Sequence, residues 1–266
     1  PGRGTLMADA LRAARLAPDF LAAANVVLVE TSPHLRTIQQ EKLAPHAPLF
    51  ASGVEELSDG PLIVIANEFF DALPIRQYVR TEDGFAERMV GLVDDALAFG
   101  LRPGARPPVP AQGLPIGSVI ETSGPSVAVM TSLATRFARM PGAMLAIDYG
   151  HDGGVGDTLQ ALRQHRFVSP LETPGEADIT AHVDFAALAA AARRAGATAF
   201  PLMDQGDFLL RLGLLERAGA LGSGKDPATQ DAIRAAVERL AGPEAMGTLF
   251  KVLVAASPGL APPPFD

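Results

Sequence analysis

The stretch Ile63-Val64-Ile65-Ala66-Asn67-Glu68-Phe69-Phe70-Asp71-Ala72-Leu73-Pro74 decides the fold. An apolar run with the length of a buried strand stops at an Asn-Glu pair, and two aromatic residues, a second acid and a proline follow. In an open α/β sheet, ligands bind in the crevice beyond the carboxyl ends of the strands. We therefore expect Asn67, Glu68 and Asp71 to lie at a functional site, at the end of a central strand.

The segments on both sides of this stretch alternate between helical and strand patterns. A short β-branched run at 25–29 ends at Glu30, and a buried strand at 143–147 runs into Asp148. This alternation is typical of a parallel, doubly wound sheet. Further predicted strands are 48–51, 62–66 and 250–255, a mostly irregular region is 151–178, and the predicted helices are 5–17 (with Leu6 and four alanines on one face), 33–43, 126–139, 185–195, 208–218 and 227–241.

Residues 75–123 depart from the alternation. Three strand-like runs are separated by two turn signals, which predicts an antiparallel meander, and a loop rich in proline and glycine follows at 103–115. We interpret 75–123 as a β-rich insertion, either a lid or a partner-binding surface, between two parts of one α/β core, 1–74 and 124–266. The runs and turns are, in chain order, 76–80, Asp83-Gly84, 85–90, Asp94-Asp95 and 96–101.

Composition excludes several classes of protein. The 266 residues include 22 Lys and Arg against 30 Asp and Glu, and the net charge of −8 argues against a nucleic-acid-binding protein. The absence of cysteine excludes disulfides and thiolate metal sites. Apolar runs stay well below the ~18 residues that cross a bilayer, which favours a soluble protein. No metal site is predicted, because metal-ligand spacing is absent among the five histidines, His34, His46, His151, His165 and His182.

The chain opens at Pro1-Gly2-Arg3-Gly4-Thr5, a glycine-rich turn that leads directly into a helix. Such turns normally follow a strand, so we expect a preceding portion to be missing from this sequence. Met7 replaces the third glycine of the dinucleotide pattern, which disfavours a nicotinamide dehydrogenase, and a phosphate-binding Gly-Lys-Ser/Thr is absent. A glycine turn without a phosphate cradle suits S-adenosylmethionine, although a plain loop is the simpler alternative.

Four carboxylates are candidates for chemistry. Glu30 ends a strand and has the right residue type to accept hydrogen bonds from two ribose hydroxyls, or it is an acid at a helix start before Ser32. Glu68, Asp71 and Asp148 are candidates for handling the substrate, because carboxylates at the ends of neighbouring strands can orient a positively charged group and accept a proton from it. Asp71 is equally well explained as a turn residue. Asp178 and His182 are a further pair that either caps a local turn or acts in the chemistry.

Several segments together resemble the MidA-like S-adenosylmethionine-dependent methyltransferases, the protein arginine methyltransferases that support assembly of respiratory complex I. The similarity extends over nearly the whole chain, in order. The segments are 1–6, 66–74, Asp148-Tyr149-Gly150-His151, 156–159, Pro174-Gly175-Glu176-Ala177-Asp178-Ile179-Thr180-Ala181-His182-Val183-Asp184-Phe185, 205–209, 246–247 and 250–253.

This resemblance implies a Rossmann-like class I methyltransferase fold, with a mostly parallel seven-stranded sheet, its first strand absent from this chain, and a β-rich insertion. It implies methyl transfer from S-adenosylmethionine to an arginine of a complex I core subunit, in the bacterial cytoplasm or the mitochondrial matrix. By motif position, the cofactor would contact Gly2, Gly4, Glu30 and Asn67. The methyl group and the arginine would face Asn67, Glu68 and Asp148, and the segment 175–184 would line the substrate cleft.

Two other functions stay open at the level of the sequence. A protein on this fold could bind the partner subunit as a non-catalytic assembly factor. It could also methylate a small molecule, because the fold does not dictate the acceptor. An open acidic cleft would favour an arginine-bearing protein, whereas a closed apolar pocket would favour a metabolite.

Overall fold

A computed structural model of the protein describes residues 2–164 and 166–265. Pro1 and His165, both named above, lie outside the described residues. The chain forms two compact units, Pro1–Leu62 and Ile63–Asp266. Within the described part of the chain, every helix is too short or too polar to cross a membrane.

The first unit alternates helices with parallel strands. Strands β1 and β2 pair in parallel, with Leu28 opposite Phe50, and Leu28 packs in a buried cluster with Leu11, Val26 and Leu43. The predicted helix at 33–43 and the short strands on either side of it are confirmed. The elements are α1 (Thr5–Ala13), α2 (Pro18–Ala23), β1 (Val27–Val29), α3 (Pro33–Lys42) and β2 (Leu49–Ala51).

The first helix differs from its prediction in length and in its buried face. It ends at Ala13 and continues as a 3-10 turn, Ala14–Leu16. Leu6 is 51% exposed, whereas Leu11 is 5% exposed and joins the cluster. The predicted face was therefore wrong, because the helix is oriented by packing against β1 and α3, and the alanine spacing does not carry that information.

The second unit holds the larger part of the chain and several sheets. Its strands are β3 (Leu62–Asn67), β4 (Arg76–Thr81), β5 (Gly84–Val93), β6 (Ala96–Ala105), β7 (Val119–Thr122), β8 (Gly142–His151), β9 (Gln160–Arg163), β10 (Arg166–Val168), β11 (Asp178–Thr180), β12 (Val183–Asp184), β13 (Thr198–Ala199), β14 (Met203–Asp204) and β15 (Phe250–Ala256). Its helices are α4 (Gly124–Phe137), α5 (Phe185–Arg194), α6 (Gln205–Arg211), α7 (Leu214–Gly222), α8 (Pro227–Ala241) and α9 (Met246–Leu249).

Strand β8 is the centre of the main sheet. It pairs with three strands: with β3, with β12, which runs parallel to it, and with β15, which runs antiparallel to it. Along β8 every second side chain from Met144 to Asp148 is buried, as expected for a strand with one face on the core. This alternation places the carboxylate of Asp148 on the face that holds Met144 and Ala146.

Strand β3 ends at Asn67, and Glu68 follows it outside any helix, as predicted. Among the described residues its strand partner is β8, and Ile63 is 68% exposed. In this unit β3 therefore lies at an edge of the sheet, whereas the apolar run predicts a central strand.

The predicted meander is a separate four-stranded antiparallel sheet with the strand order β6-β5-β4-β7. Both turn signals are confirmed, and the β5–β6 turn has Asp94 and Asp95 in left-handed conformations, with φ of 48° and 62°, as a two-residue hairpin turn requires. Our proposal that 75–123 is an insertion into the core rests on this separate sheet.

The region 151–178 is mostly irregular, as predicted, but it also contains the small antiparallel sheet β10-β9-β11, whose strands of three or four residues are too short to show an alternating pattern. The helix predicted at 208–218 is two helices, α6 and α7. Gly213 separates them with a φ of 87°, a conformation that ends a helix and favours glycine.

Candidate active site

The turn after β3 presents two polar side chains to solvent. Glu68 has a left-handed backbone, with a φ of 47°, and its N–H donates to the carbonyl of Ile147 on β8 at 2.9 Å. Its carboxylate accepts a hydrogen bond from the Asn67 side-chain amide at 3.1 Å. Asn67 and Glu68 are both exposed, so together they form a polar ledge at the carboxyl end of β3.

Asp148 anchors the backbone that follows Glu68. Its Oδ2 accepts hydrogen bonds from three consecutive N–H groups, those of Phe69 at 3.1 Å, Phe70 at 3.0 Å and Asp71 at 3.2 Å. Its Oδ1 accepts from the N–H of Tyr149 at 3.0 Å. The side chain is fully buried. The buried Asp148 carboxylate therefore fixes the backbone conformation of the turn after Glu68 through these hydrogen bonds.

Asp148 belongs to a buried acidic cluster. The Tyr149 hydroxyl donates to Oδ2 of Asp71, and Oδ1 of Asp71 is buried without a hydrogen-bond partner among the residues that the structure describes. Burial, and then the neighbouring Asp71 charge, raise the pKa of Asp148 to about 7, while the backbone hydrogen bonds from Asp71, Phe69 and Phe70 act in the opposite direction. Burial and the hydrogen bond to Asp71 also raise the pKa of Tyr149.

The segment 178–184 is tied to this cluster. The N–H of Ala181 donates to the carbonyl of Asp71 at 3.0 Å, and the His182 ring lies 5.6 Å from the Tyr149 ring. Burial, and then the charge of His151, lower the pKa of His182, while Glu121 opposes them. A side chain at Gly150 would overlap the carbonyl of Val183, so only glycine lets β12 approach β8 this closely.

A polar network joins the meander to the loop before β9. Arg88 on β5 makes a two-pronged ion pair with Asp157, at 2.7 and 2.9 Å. The Gln77 side chain donates to Asp157 at 2.9 Å and to Glu121 at 2.7 Å. Glu121 in turn accepts from the backbone N–H of Thr158 at 3.0 Å. These contacts attach the meander to the segment that carries His182, since the Thr158 hydroxyl accepts from the His182 N–H at 2.9 Å.

The predicted cofactor residues of the first unit come together around Gln39. The Gln39 side-chain amide donates to the carbonyl of Gly2 at 2.6 Å and to Oε2 of Glu30 at 3.1 Å. Gly4 is buried against the same helix, with a φ of 75°. Gln39 is fully buried, and its carbonyl oxygen lacks a hydrogen-bond partner among the described residues.

This arrangement fits a small polar ligand. A Cβ built on Gly2 meets nothing within 4 Å, so the backbone of the turn is open to close approach. Glu30 also serves the helix start, because its Oε1 accepts from the N–H of Ser32 at 2.9 Å, and Ser32 caps α3. The two interpretations of Glu30 are therefore compatible, with the capping contact on one oxygen and the bridge to Gly2 on the other.

Sequence reasoning missed Gln39, Tyr149 and the polar network. Gln39 is a glutamine at the one fully buried position of α3, which no local pattern marks. The burial of Asp148, in contrast, could have been predicted from the sequence. Asp148 follows Met144 and Ala146 at two-residue spacing, so the three side chains share one face of the strand. Groups of three or more His, Asp or Glu residues that could hold a metal ion are not found in the described ranges 2–164 and 166–265.

Comparison with known proteins identifies relatives along most of the chain. The sequence profile of the family described as "Putative S-adenosyl-L-methionine-dependent methyltransferase" matches residues 1–203. The mitochondrial protein arginine methyltransferase NDUFAF7 of Danio rerio is 32% identical over 281 residues, covering 94% of this chain and 66% of the relative. The Homo sapiens protein of that name is 31% identical, covering 94% and 63%. The chain thus spans just under two thirds of the length of these relatives.

Two crystal structures of Burkholderia thailandensis proteins share the fold. One, of an uncharacterized protein, has a TM-score of 0.82 and 30% identity, and the match covers 96% of this chain and 71% of that one. The other has a TM-score of 0.79 and 31% identity, covers 95% and 68%, and contains bound S-adenosyl-homocysteine. These likenesses confirm the predicted Rossmann-like methyltransferase fold with additional strands.

Proposed function

Because the chain belongs to this family of S-adenosyl-L-methionine-dependent methyltransferases, we propose that it transfers a methyl group from that cofactor to an arginine side chain of a protein. The cofactor of the family is supported by the related structure that holds S-adenosyl-homocysteine, the product of methyl donation. The arginine acceptor is supported by the names of the relatives from Danio rerio and Homo sapiens. The observation that carries the proposal is the exposed Asn67–Glu68 ledge above the buried Asp148 anchor.

In this proposal Gly2, Gly4 and Glu30 of the first unit bind the cofactor. When bound, S-adenosylmethionine supplies a methyl group on a positively charged sulfur. The open backbone at Gly2 accommodates the close approach of a ligand. Gln39 keeps the Glu30 carboxylate and the Gly2 carbonyl close together through its two hydrogen bonds, and a carboxylate is the residue type that accepts from the ribose hydroxyls.

Glu68 handles the acceptor arginine. A guanidinium is protonated at every ordinary pH and is a weak nucleophile until it loses a proton. A carboxylate that meets two of its N–H groups fixes its plane and can take that proton. The hydrogen bond from Asn67 holds the Glu68 carboxylate in place before the acceptor arrives. Asp148, predicted to face the acceptor, is proposed to act through the turn, because its oxygens already accept four backbone N–H groups.

The proposed acceptor is an arginine of a respiratory complex I core subunit, as the family resemblance implies. The net charge of −8 suits a basic partner segment. The relatives carry the word mitochondrial in their names, and the corresponding proposal for this chain is the bacterial cytoplasm or, in a eukaryote, the mitochondrial matrix. The segment 175–184, tied to Asp71 by Ala181, is proposed as one wall of the acceptor cleft.

The direct test is methyl transfer to a peptide of the complex I subunit that contains the acceptor arginine. We expect label from S-adenosylmethionine to enter that peptide and to be absent from the same peptide with lysine in place of the arginine. Cofactor binding without any transfer would instead favour a non-catalytic assembly factor. Equal transfer to both peptides would reject arginine as the acceptor.

Replacing Glu30 by alanine should weaken S-adenosylmethionine binding by ~1.5–3 kcal/mol, the usual worth of hydrogen bonds to a charged group. The measurement is isothermal titration calorimetry. The matched control is Glu41→Ala, which removes an exposed carboxylate from the same unit, on the helix that carries Gln39, and should leave the affinity unchanged. Equal affinities for wild type and Glu30→Ala, with the fold intact, would show that Glu30 serves only the start of α3.

A further inference from the structure

The outer half of the β5–β6 hairpin is an apolar arm. Pairing between β4 and β5 reaches Glu87, whereas β5 continues to Val93 and pairs with β6 up to the turn. We define the arm as residues 89–101. Its large side chains are exposed, including Leu92 at 70% and Phe99 at 42%. Solvent-exposed apolar side chains concentrated on one projecting element usually mark an interaction surface.

The outer strand of the arm is also an open sheet edge. β6 stands at the end of the strand order β6-β5-β4-β7, and β5 is its strand partner among the described residues. Between Met89 and Leu101 the sequence carries charge only at Asp94 and Asp95, in the turn. Proteins usually protect such an edge with lysine, proline or a bulge. The arm lacks charge and proline from 96 to 101, so its edge is suited to pairing with another strand.

We propose that β6 pairs antiparallel with β6 of a second copy of this chain, about a two-fold axis that passes through Phe99. The turn residue Asp95 limits the free edge at one end, and Pro103, which has no N–H to donate, limits it at the other. The available strand is therefore 96–102, and its midpoint is Phe99. A symmetric antiparallel pair centred there joins two four-stranded sheets into one.

Side chains and charges both fit this register. Phe99 lies opposite its own copy, and Leu97 lies opposite Leu101, so apolar pairs line the contact. Each acidic turn, Asp94-Asp95, comes next to Arg102 of the other copy. Arg102 lies just beyond the arm and pairs with Glu87 of its own chain, but its side chain stays 63% exposed. The strand 96–102 therefore has acidic residues beside one end and a basic residue at the other, and these ends meet in the antiparallel arrangement that a two-fold interface requires.

The contact combines apolar side chains with main-chain hydrogen bonds. The large side chains on β6, those of Leu97, Phe99 and Leu101, are 39%, 42% and 51% exposed, and hydrogen bonds between the two strand edges add to their burial. Apart from Asp94 and Asp95 in the turn, the arm has no charged side chain that would repel a second copy. A second copy of this chain matches the symmetry, the register and the charges of the arm. No such match is built into an unrelated partner.

The first experiment measures molar mass by light scattering and the dissociation constant by analytical ultracentrifugation. Wild type should have twice the mass of the 27.7 kDa chain. Leu97→Lys, on the edge strand, should raise the dissociation constant at least tenfold. The matched control is Leu92→Lys, which places the same charge on the cross-strand neighbour of Leu97 in β5, away from the edge, and should change the constant less than threefold.

The second experiment uses the absence of cysteine from the chain. Phe99→Cys should form a disulfide between two copies under mild oxidation, because paired residues on the axis bring their Cβ atoms within reach. Leu92→Cys should stay largely uncrosslinked. Monomeric wild type at all concentrations would overturn the proposal, as would equal crosslinking of the two cysteine variants. Monomeric wild type whose binding to the substrate protein is lost in Leu97→Lys would assign the arm to the substrate instead.

Discussion

Replacing Glu68 by glutamine is expected to lower the rate of methyl transfer about 100-fold or more, with little change in S-adenosylmethionine affinity. Glutamine keeps the size of the side chain and can still accept the hydrogen bond from Asn67, but it cannot neutralise a guanidinium or take its proton. General acid–base assistance is usually worth 10²- to 10⁴-fold, roughly. The measurement is single-turnover methylation of the arginine peptide, with cofactor affinity measured in parallel.

The control for Glu68→Gln is Glu172→Gln, which neutralises an exposed acid elsewhere in the same unit and should leave the rate unchanged. Asp71→Asn should mainly reduce the stability of the fold, because the Asp71 side chain is buried and accepts a hydrogen bond from the Tyr149 hydroxyl. Full activity of Glu68→Gln would reject the carboxylate mechanism. Weight would then move to a non-catalytic role in complex assembly.

Replacing Asp148 by alanine is expected to destabilise the fold by about 3–5 kcal/mol, the range for removing one partner of a buried charged network. The change leaves four backbone N–H groups without their acceptor, three of them in the turn after Glu68. Asp148→Asn keeps an acceptor oxygen and should lose less. The measurement is urea unfolding followed by circular dichroism.

The same residue makes the stability depend on pH. Its pKa is about 7 in the folded protein, raised above the ordinary 3.8, so the folded state binds the proton more tightly. The contribution of Asp148 is therefore fully present below about pH 4 and is lost as the pH rises toward 7, by about 4 kcal/mol at most. Wild type should lose stability relative to Asp148→Asn between pH 5 and pH 8. If the free energies of unfolding of wild type and Asp148→Asn differed by a constant amount across that range, the hydrogen bonds from the four N–H groups would offset the cost of burying the charge.

The parts of the fold that depend on local chemistry could be predicted from the sequence. The apolar run that stops at Asn67 identifies the end of β3, and Asp83-Gly84 and Asp94-Asp95 identify the turns of the meander. Turn residues and short apolar runs act over a few positions, so one sequence is enough to recognise them.

The parts of the fold that depend on contacts between residues distant in the chain could not be predicted from the sequence. The environment of Gln39 depends on Glu30 and Gly2, which lie 9 and 37 positions away in the chain, and the strands β9 to β11 exist because they pair with one another. Asp148 lies between these cases. Its place after a strand suggests chemistry, while its phase with Met144 and Ala146 predicts burial, and the burial determines its hydrogen bonds.

Under the proposed role of Glu68 in methyl transfer, its left-handed backbone sets protein stability against activity at a single position. A residue with a side chain costs roughly 1–2 kcal/mol in that conformation, and glycine does not. Selection for heat resistance alone would therefore favour glycine at position 68, whereas selection for methyl transfer would keep the carboxylate. A library sorted separately by melting temperature and by turnover should diverge here, which makes position 68 a marker of whether an evolving lineage still needs the reaction.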